Sequence, residues 1–155
     1  MAGKKAGGLL LNPDYFLNIS EKRIMNRAEI VFREESYRII GSCLVVFNKL
    51  GSGFLESVYQ EALEIQFKQD KIPFLKEKKL RIQFDDIQLD KFFKADYVCF
   101  DSIIVELKAT PFIHKNDLTQ VLNYLRATDM RLGILVNFGE KSLTYKRILN
   151  SHSSH

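Results

Sequence analysis

The chain has 155 residues, 46% apolar and 27% charged, with 23 Lys and Arg against 19 Asp and Glu and a formal net charge of +4. That composition suits one soluble globular domain and excludes wholesale disorder, while the mild positive charge permits a polyanionic partner without demanding one. No apolar run approaches the ~20 residues of a membrane-spanning helix, and Leu9-Leu10-Leu11 is too short for a secretory signal, so the expected setting is cytoplasmic with no membrane association.

Residues 1–20 read as an aperiodic leader, punctuated by Gly3, Gly7, Gly8 and Pro13. Residues 21–149 are expected to form the single domain, and 150–155 a polar tail with His152 and His155. From Glu34 to Leu50, Ile40, Leu44, Phe47 and Leu50 follow helical spacing, and Gly51-Ser52-Gly53 breaks the run. A second helix is predicted from about Phe54 to Gln69, with Leu55, Val58, Ala62 and Ile65 as its stripe and Tyr59 and Leu63 flanking. Ile72-Pro73 ends it.

Leu80, Ile82 and Phe84 alternate with polar residues as a half-buried strand. Asp85-Asp86 marks a turn, Phe92 to Phe100 a second strand and Asp101-Ser102 a second turn. The nearly all-apolar stretch Ile103 to Ala109 reads as a central strand. Asn116 or Asp117 is a candidate cap for a helix running to about Thr128, with Leu118, Val121, Leu122 and Leu125 as its core stripe. Leu132 to Phe138 and Leu143 to Leu149 are the last strands. The order α-α-β-β-β-α-β-β predicts an α/β fold, a mixed sheet flanked by helices. Cys43 and Cys99 lie in apolar runs and read as buried, reduced thiols.

Chemistry concentrates in Ala95-Asp96 and Ile104-Val105-Glu106-Leu107-Lys108-Ala109. Alternate side chains of a strand share a face, so Glu106 and Lys108 point one way and Val105, Leu107 and Ala109 the other. A charge pair on a central strand is costly without partners. The following turn folds the two strands antiparallel and can bring Asp96 near Glu106. Two carboxylates and a lysine suit Mg²⁺, a hard cation that takes one or two carboxylates together with water and phosphate oxygens. Glu-x-Lys alone is common, so the setting carries the signal. Glu56 opens the second helix, where an acid is also an ordinary dipole partner. Gln120 and Tyr124 lie four apart on one helical face. His114 reads as structural or as a peripheral phosphate contact.

Gly53-Phe54-Leu55-Glu56-Ser57-Val58-Tyr59 resembles the signature of the bacterial and archaeal GxxExxY protein family. The likeness continues through Ile72-Pro73-Phe74, Ala95-Asp96, Ile104 to Ala109, Gln120 to Leu125 and Gly133 to Gly139. That family belongs to the PD-(D/E)XK nuclease-like superfamily, with a restriction-endonuclease-like α-β-β-β-α-β core. The resemblance implies metal ligation by Asp96 and Glu106, Glu56 on the metal or its waters, and Lys108 as the catalytic lysine. Gln120 and Tyr124 resemble a QxxxY motif that contacts substrate. Ala95 stands where the motif has proline. The implied activity is Mg²⁺-dependent hydrolysis of phosphodiester bonds, in DNA first, with Mn²⁺ as a substitute. The alternative is a nucleic-acid-binding or partner-dependent accessory module without cleavage of its own. Small size and modest charge point to help from a homo-oligomer or a protein partner.

Overall fold

The computed structural model describes residues 31–151, so the leader and the tail histidines lie outside the described residues. Two helices, α1 (Arg33–Leu50) and α2 (Glu56–Gln69), precede the strands β1 (Phe74–Phe84), β2 (Ile87–Cys99) and β3 (Ile103–Lys108). Helix α3 (Lys115–Thr128) then leads to β4 (Leu132–Asn137) and β5 (Thr144–Leu149). The predicted order and class are found.

The five strands form one mixed sheet in the order β1-β2-β3-β4-β5. All neighbours are antiparallel except β3 and β4, which run parallel because α3 carries the chain back between them. The expected central strand β3 is in the middle. Helices cover it on both sides. Val105 and Leu107 join the core against α1 and α2, with Tyr59, Phe67 and Phe138. Ile104 joins the second core against α3, with Val121, Tyr124 and Leu125. A strand buried on both faces accounts for its nearly unbroken apolar run.

Both first helices are rotated from the expected stripes. In α1 the buried residues are Ser36, Ile39, Ser42, Cys43 and Val46, while Leu44 is exposed. Its run Cys43 to Phe47 holds two overlapping helical stripes one residue apart, so periodicity alone does not choose between them. In α2, Tyr59, Leu63, Gln66 and Phe67 are buried, whereas Leu55, Val58 and Ile65 are exposed. Aromatic burial decides the rotation: Tyr59 stacks on Phe138 at 4.6 Å and Phe67 meets Tyr97 edge-on at 5.4 Å.

The β2–β3 turn contains the expected Asp101-Ser102 and takes in Phe100 as well, between the paired Cys99 and Ile103. Phe100 and Asp101 both have positive φ (53° and 54°), and Ser102 N–H donates to the Cys99 carbonyl at 3.1 Å. Two consecutive left-handed residues open this three-residue connection with a backbone twist that suits a hairpin. His114, and neither Asn116 nor Asp117, caps α3; Asp117 is at the third helical position and accepts the His114 N–H at 2.9 Å. The two cysteines are buried and free as expected, and burial pushes both thiols up, Cys99 to about 12.

Candidate active site

The site forms where the β2–β3 ladder opens. Three pairs hold the strands, Tyr97↔Val105, Val98↔Ile104 and Cys99↔Ile103. The next pair in that register would be Asp96 and Glu106, and there the side chains replace the ladder. Asp96 N–H donates to Glu106 Oε1 at 3.0 Å, and Leu107 N–H donates to Asp96 Oδ2 at 2.8 Å. Each carboxylate thus takes a backbone donor of the opposite strand, which satisfies groups that the divergence would leave bare. On its other side β2 is also interrupted at Asp96: pairing with β1 skips from Lys76↔Tyr97 to Lys78↔Ala95, and the unpaired Glu77 has φ 50°.

Glu106 is only 4% exposed. Burial first, and the Asp96 charge second, push its carboxyl well above the usual carboxylate range; a side-chain hydrogen bond to Asp96 adds to this, and Lys108 only partly offsets it. Lys108 shares the Glu106 face of β3, as alternation predicts. Its Nζ lies 3.4 Å from Asp117 Oδ1 and 3.3 Å from Gln120 Oε1. Gln120 Nε2 in turn donates to the Tyr124 hydroxyl at 2.6 Å. Tyr124 is buried, part of the α3 core with its ring 4.7 Å from Phe93. Burial raises its hydroxyl pKa. Beside this chain a cleft of about 270 Å³ is lined by Phe93, Asn116, Thr119, Gln120, Asn123 and Tyr124.

Glu56 opens α2, half-buried. Burial raises its carboxyl, the Asp96 charge raises it further and Lys108 lowers it, so it shares the field of the site. Among the described residues, no three of His, Cys, Asp and Glu come close enough to hold a metal ion. The protein therefore offers two adjoining carboxylates, Asp96 and Glu106, with Glu56 further off. That set fits a hard divalent cation that keeps several waters. The electrostatics agree: the Asp96 charge pushes the buried Glu106 carboxyl up, a repulsion that a cation would relieve. His114 is exposed and packs against Phe112, with ring centroids 4.3 Å apart.

Three participants escaped the sequence reading. Gln60 Nε2 donates to Asp96 Oδ1 at 3.0 Å. It lies one turn after Glu56 on the same helical face, a signal that was legible. Asp117, the partner of Lys108, lies three before Gln120 on its face, but its position near a helix start suggested only a cap. Asn137, fully buried at the end of β4, bridges the chain beyond Lys108: its Oδ1 accepts from Thr110 N–H at 3.0 Å and Gly139 N–H at 3.1 Å, and its Nδ2 donates to the Thr110 carbonyl at 2.9 Å. Gly139 is needed beside it, because a Cβ there would collide with the Thr110 backbone.

The fold and the acid–acid–lysine strand pair define a nuclease-like α/β protein. Residues 33–148 match the PD-(D/E)XK nuclease superfamily, and the chain belongs to it. Members of that superfamily are generally dependent on divalent metal ions. Searches of the curated proteins and of the solved structures return no match. Among the described residues, no helix is long and apolar enough to cross a membrane.

Proposed function

We propose that the protein is a Mg²⁺-dependent nuclease that hydrolyses phosphodiester bonds, DNA being the first candidate substrate and Mn²⁺ a working substitute. One observation carries this reading: the paired carboxylates of Asp96 and Glu106 at the opening of the β2–β3 ladder, with Lys108 two residues further along β3. Asp96 and Glu106 would hold the cation, and Glu56 would hold a water on the α2 side. When bound, the cation would lower the pKa of an attacking water and neutralise charge on the scissile phosphate. Lys108, freed from Asp117 by a competing phosphate, donates to a phosphoryl oxygen and stabilises the charge that grows there. Gln120 and Tyr124 aim the Lys108 ammonium and border the cleft beside it.

The finer likeness to the GxxExxY family is supported by the parts its motif plays. Gly53 has φ 106°, a conformation L side chains rarely adopt, and lets the chain turn into α2. Glu56 then opens α2 within the field of Asp96 and Lys108. The Tyr59 hydroxyl donates to the Gly51 carbonyl at 2.6 Å and accepts from Phe54 N–H at 3.2 Å, fastening that turn to the core.

The test is cleavage of single-stranded, duplex and end-blocked DNA and of RNA with Mg²⁺ or Mn²⁺, with Lys108→Ala purified identically. Loss of one charge-stabilising donor predicts a rate lower by ~10²–10³. Equal cleavage by the variant assigns the activity to a contaminant or another site; no cleavage of any substrate by the wild type favours the accessory-module reading.

A further inference from the structure

Beyond the three pairs with β3, β2 continues with β1 alone as a two-stranded ribbon, and its two faces differ in kind. One face is fastened to α3. Leu80 pairs with Phe93, Leu80 is buried, and the Phe93 ring meets Tyr124. The other face carries the exposed cations Lys79, Arg81 and Lys94 and the exposed ring of Phe92. In register, Lys79 faces Lys94 and Arg81 faces Phe92. Lys79 Nζ sits 4.7 Å from the centroid of the Phe92 ring.

Like charges directly across a pair of strands are destabilising. Lysines on edge strands are an ordinary defence against aggregation, and both strands of the ribbon have a free edge, so it is the facing of Lys79 and Lys94 beside an exposed ring that such a defence does not call for. Lys94 stands on β2, opposite Lys79, where it adds repulsion that its own 3.7 Å pair with the exposed Glu77 offsets weakly. From Lys78 to Arg81 and from Lys91 to Lys94 there are only cations and uncharged residues, with Glu77 and Asp90 bounding the two runs and Asp85 and Asp86 at the ribbon tip. Lys94 precedes Asp96 by two residues, about 7 Å along a strand. A basic strip with an exposed aromatic ring thus runs up to the candidate acid pair. Cations that track a backbone beside an aromatic platform for a base are what single-stranded nucleic acid recognises.

We infer that this ribbon face binds single-stranded nucleic acid, with backbone phosphates on Lys79, Lys94 and Arg81 and a base stacked on Phe92. The inference rests on the nuclease reading only for the direction in which the strand leads, towards Asp96; binding and cleavage are read separately.

The full chain is titrated in EDTA with a labelled single strand of about 16 nucleotides, the upper range of such sites, and with its duplex. The single strand binds more tightly than the duplex. In the triple variant Lys79→Gln, Arg81→Gln, Lys94→Gln, the slope of log affinity against log salt becomes shallower by about 2, from roughly 0.7 per phosphate contact. Phe92→Ala weakens binding roughly ten-fold with the slope unchanged. The triple variant melts at or above the wild type, since cross-strand repulsion is relieved, which separates lost binding from lost fold. Equal affinity and slope in the triple variant overturn the inference, as does a preference for duplex or no binding by the wild type. A chain that binds in this manner and never cleaves sinks the nuclease reading and leaves this one standing; a chain that cleaves while the ribbon variants bind as wild type does the reverse.

Discussion

Replacing Glu106 by Gln gives the sharpest test of the acid pair, because the structure sets both the sign and the scale. Gln keeps an oxygen to accept the Asp96 N–H now bound at 3.0 Å, and removes the charge. The Glu106 carboxyl, ordinarily near 4.5, is raised by burial and then by Asp96, with Lys108 as the partial counterweight. A raised acid costs the fold nothing below its unfolded value. Above it, the unfolded chain releases a proton that the fold retains. Metal-free stability therefore falls by about 1.4 kcal/mol per pH unit until the raised pKa is passed. From about pH 5.5 to about pH 7.5 that amounts to roughly 2.7 kcal/mol, or roughly 5–10 °C in Tm for a chain of this size. Thermal melts in EDTA should show this slope in the wild type in excess of that in Glu106→Gln. At ~10 mM Mg²⁺ the wild type should gain more than the variant, because only it keeps both ligands. Parallel pH profiles for the two proteins would refute the coupling, and equal Mg²⁺ gains would refute the assignment of Glu106 as a ligand.

Asp96→Asn should abolish cleavage yet melt at or above the wild type in EDTA; a stability loss beyond ~2 kcal/mol would make the carboxylate a ladder plug instead of a ligand. Asn137→Ala strips partners from three part-buried backbone groups and should cost ~3 kcal/mol in urea unfolding; a loss under ~1 kcal/mol would show that water replaces the amide. Tyr59→Phe leaves the Gly51 carbonyl and the Phe54 N–H without their partner, for a cost of about 2 kcal/mol, and an unchanged urea midpoint would refute the hydroxyl's part in the turn.

The sheet and the carboxylate–lysine strand were legible because both rest on period-two alternation and an unusual pattern, charges inside an apolar strand. Asp96 was placeable near Glu106 because a tight turn leaves few registers. Helix rotation in α1 and α2 was not legible, since Leu55, Val58 and Ile65 satisfy the helical spacing as well as Tyr59, Leu63 and Phe67 do. Only the bulk of the facing Phe138 and Tyr97 separates the two stripes. The burial of Tyr124 was not legible for a related reason: it lies beside the predicted stripe of α3, and Phe93, far earlier in the chain, covers it. Asn137 gave no local sign, because its partners become neighbours only once β3 and β4 pair.

The separations along the chain order the assembly of the site in time. Asp96 and Glu106 are ten residues apart across a three-residue turn, Lys108 and Gln120 twelve, and Gln60 and Asp96 thirty-six. Closing the longest of these segments costs about 1 kcal/mol more than closing the shortest. The acid pair can therefore meet in a chain whose first two helices are still undocked, and it meets there as naked repulsion. A divalent cation in the refolding buffer would act on that early hairpin, and its benefit would appear as faster refolding more than as slower unfolding. A chevron in which Mg²⁺ moves only the unfolding limb would place the joining of the acids after closure of the core.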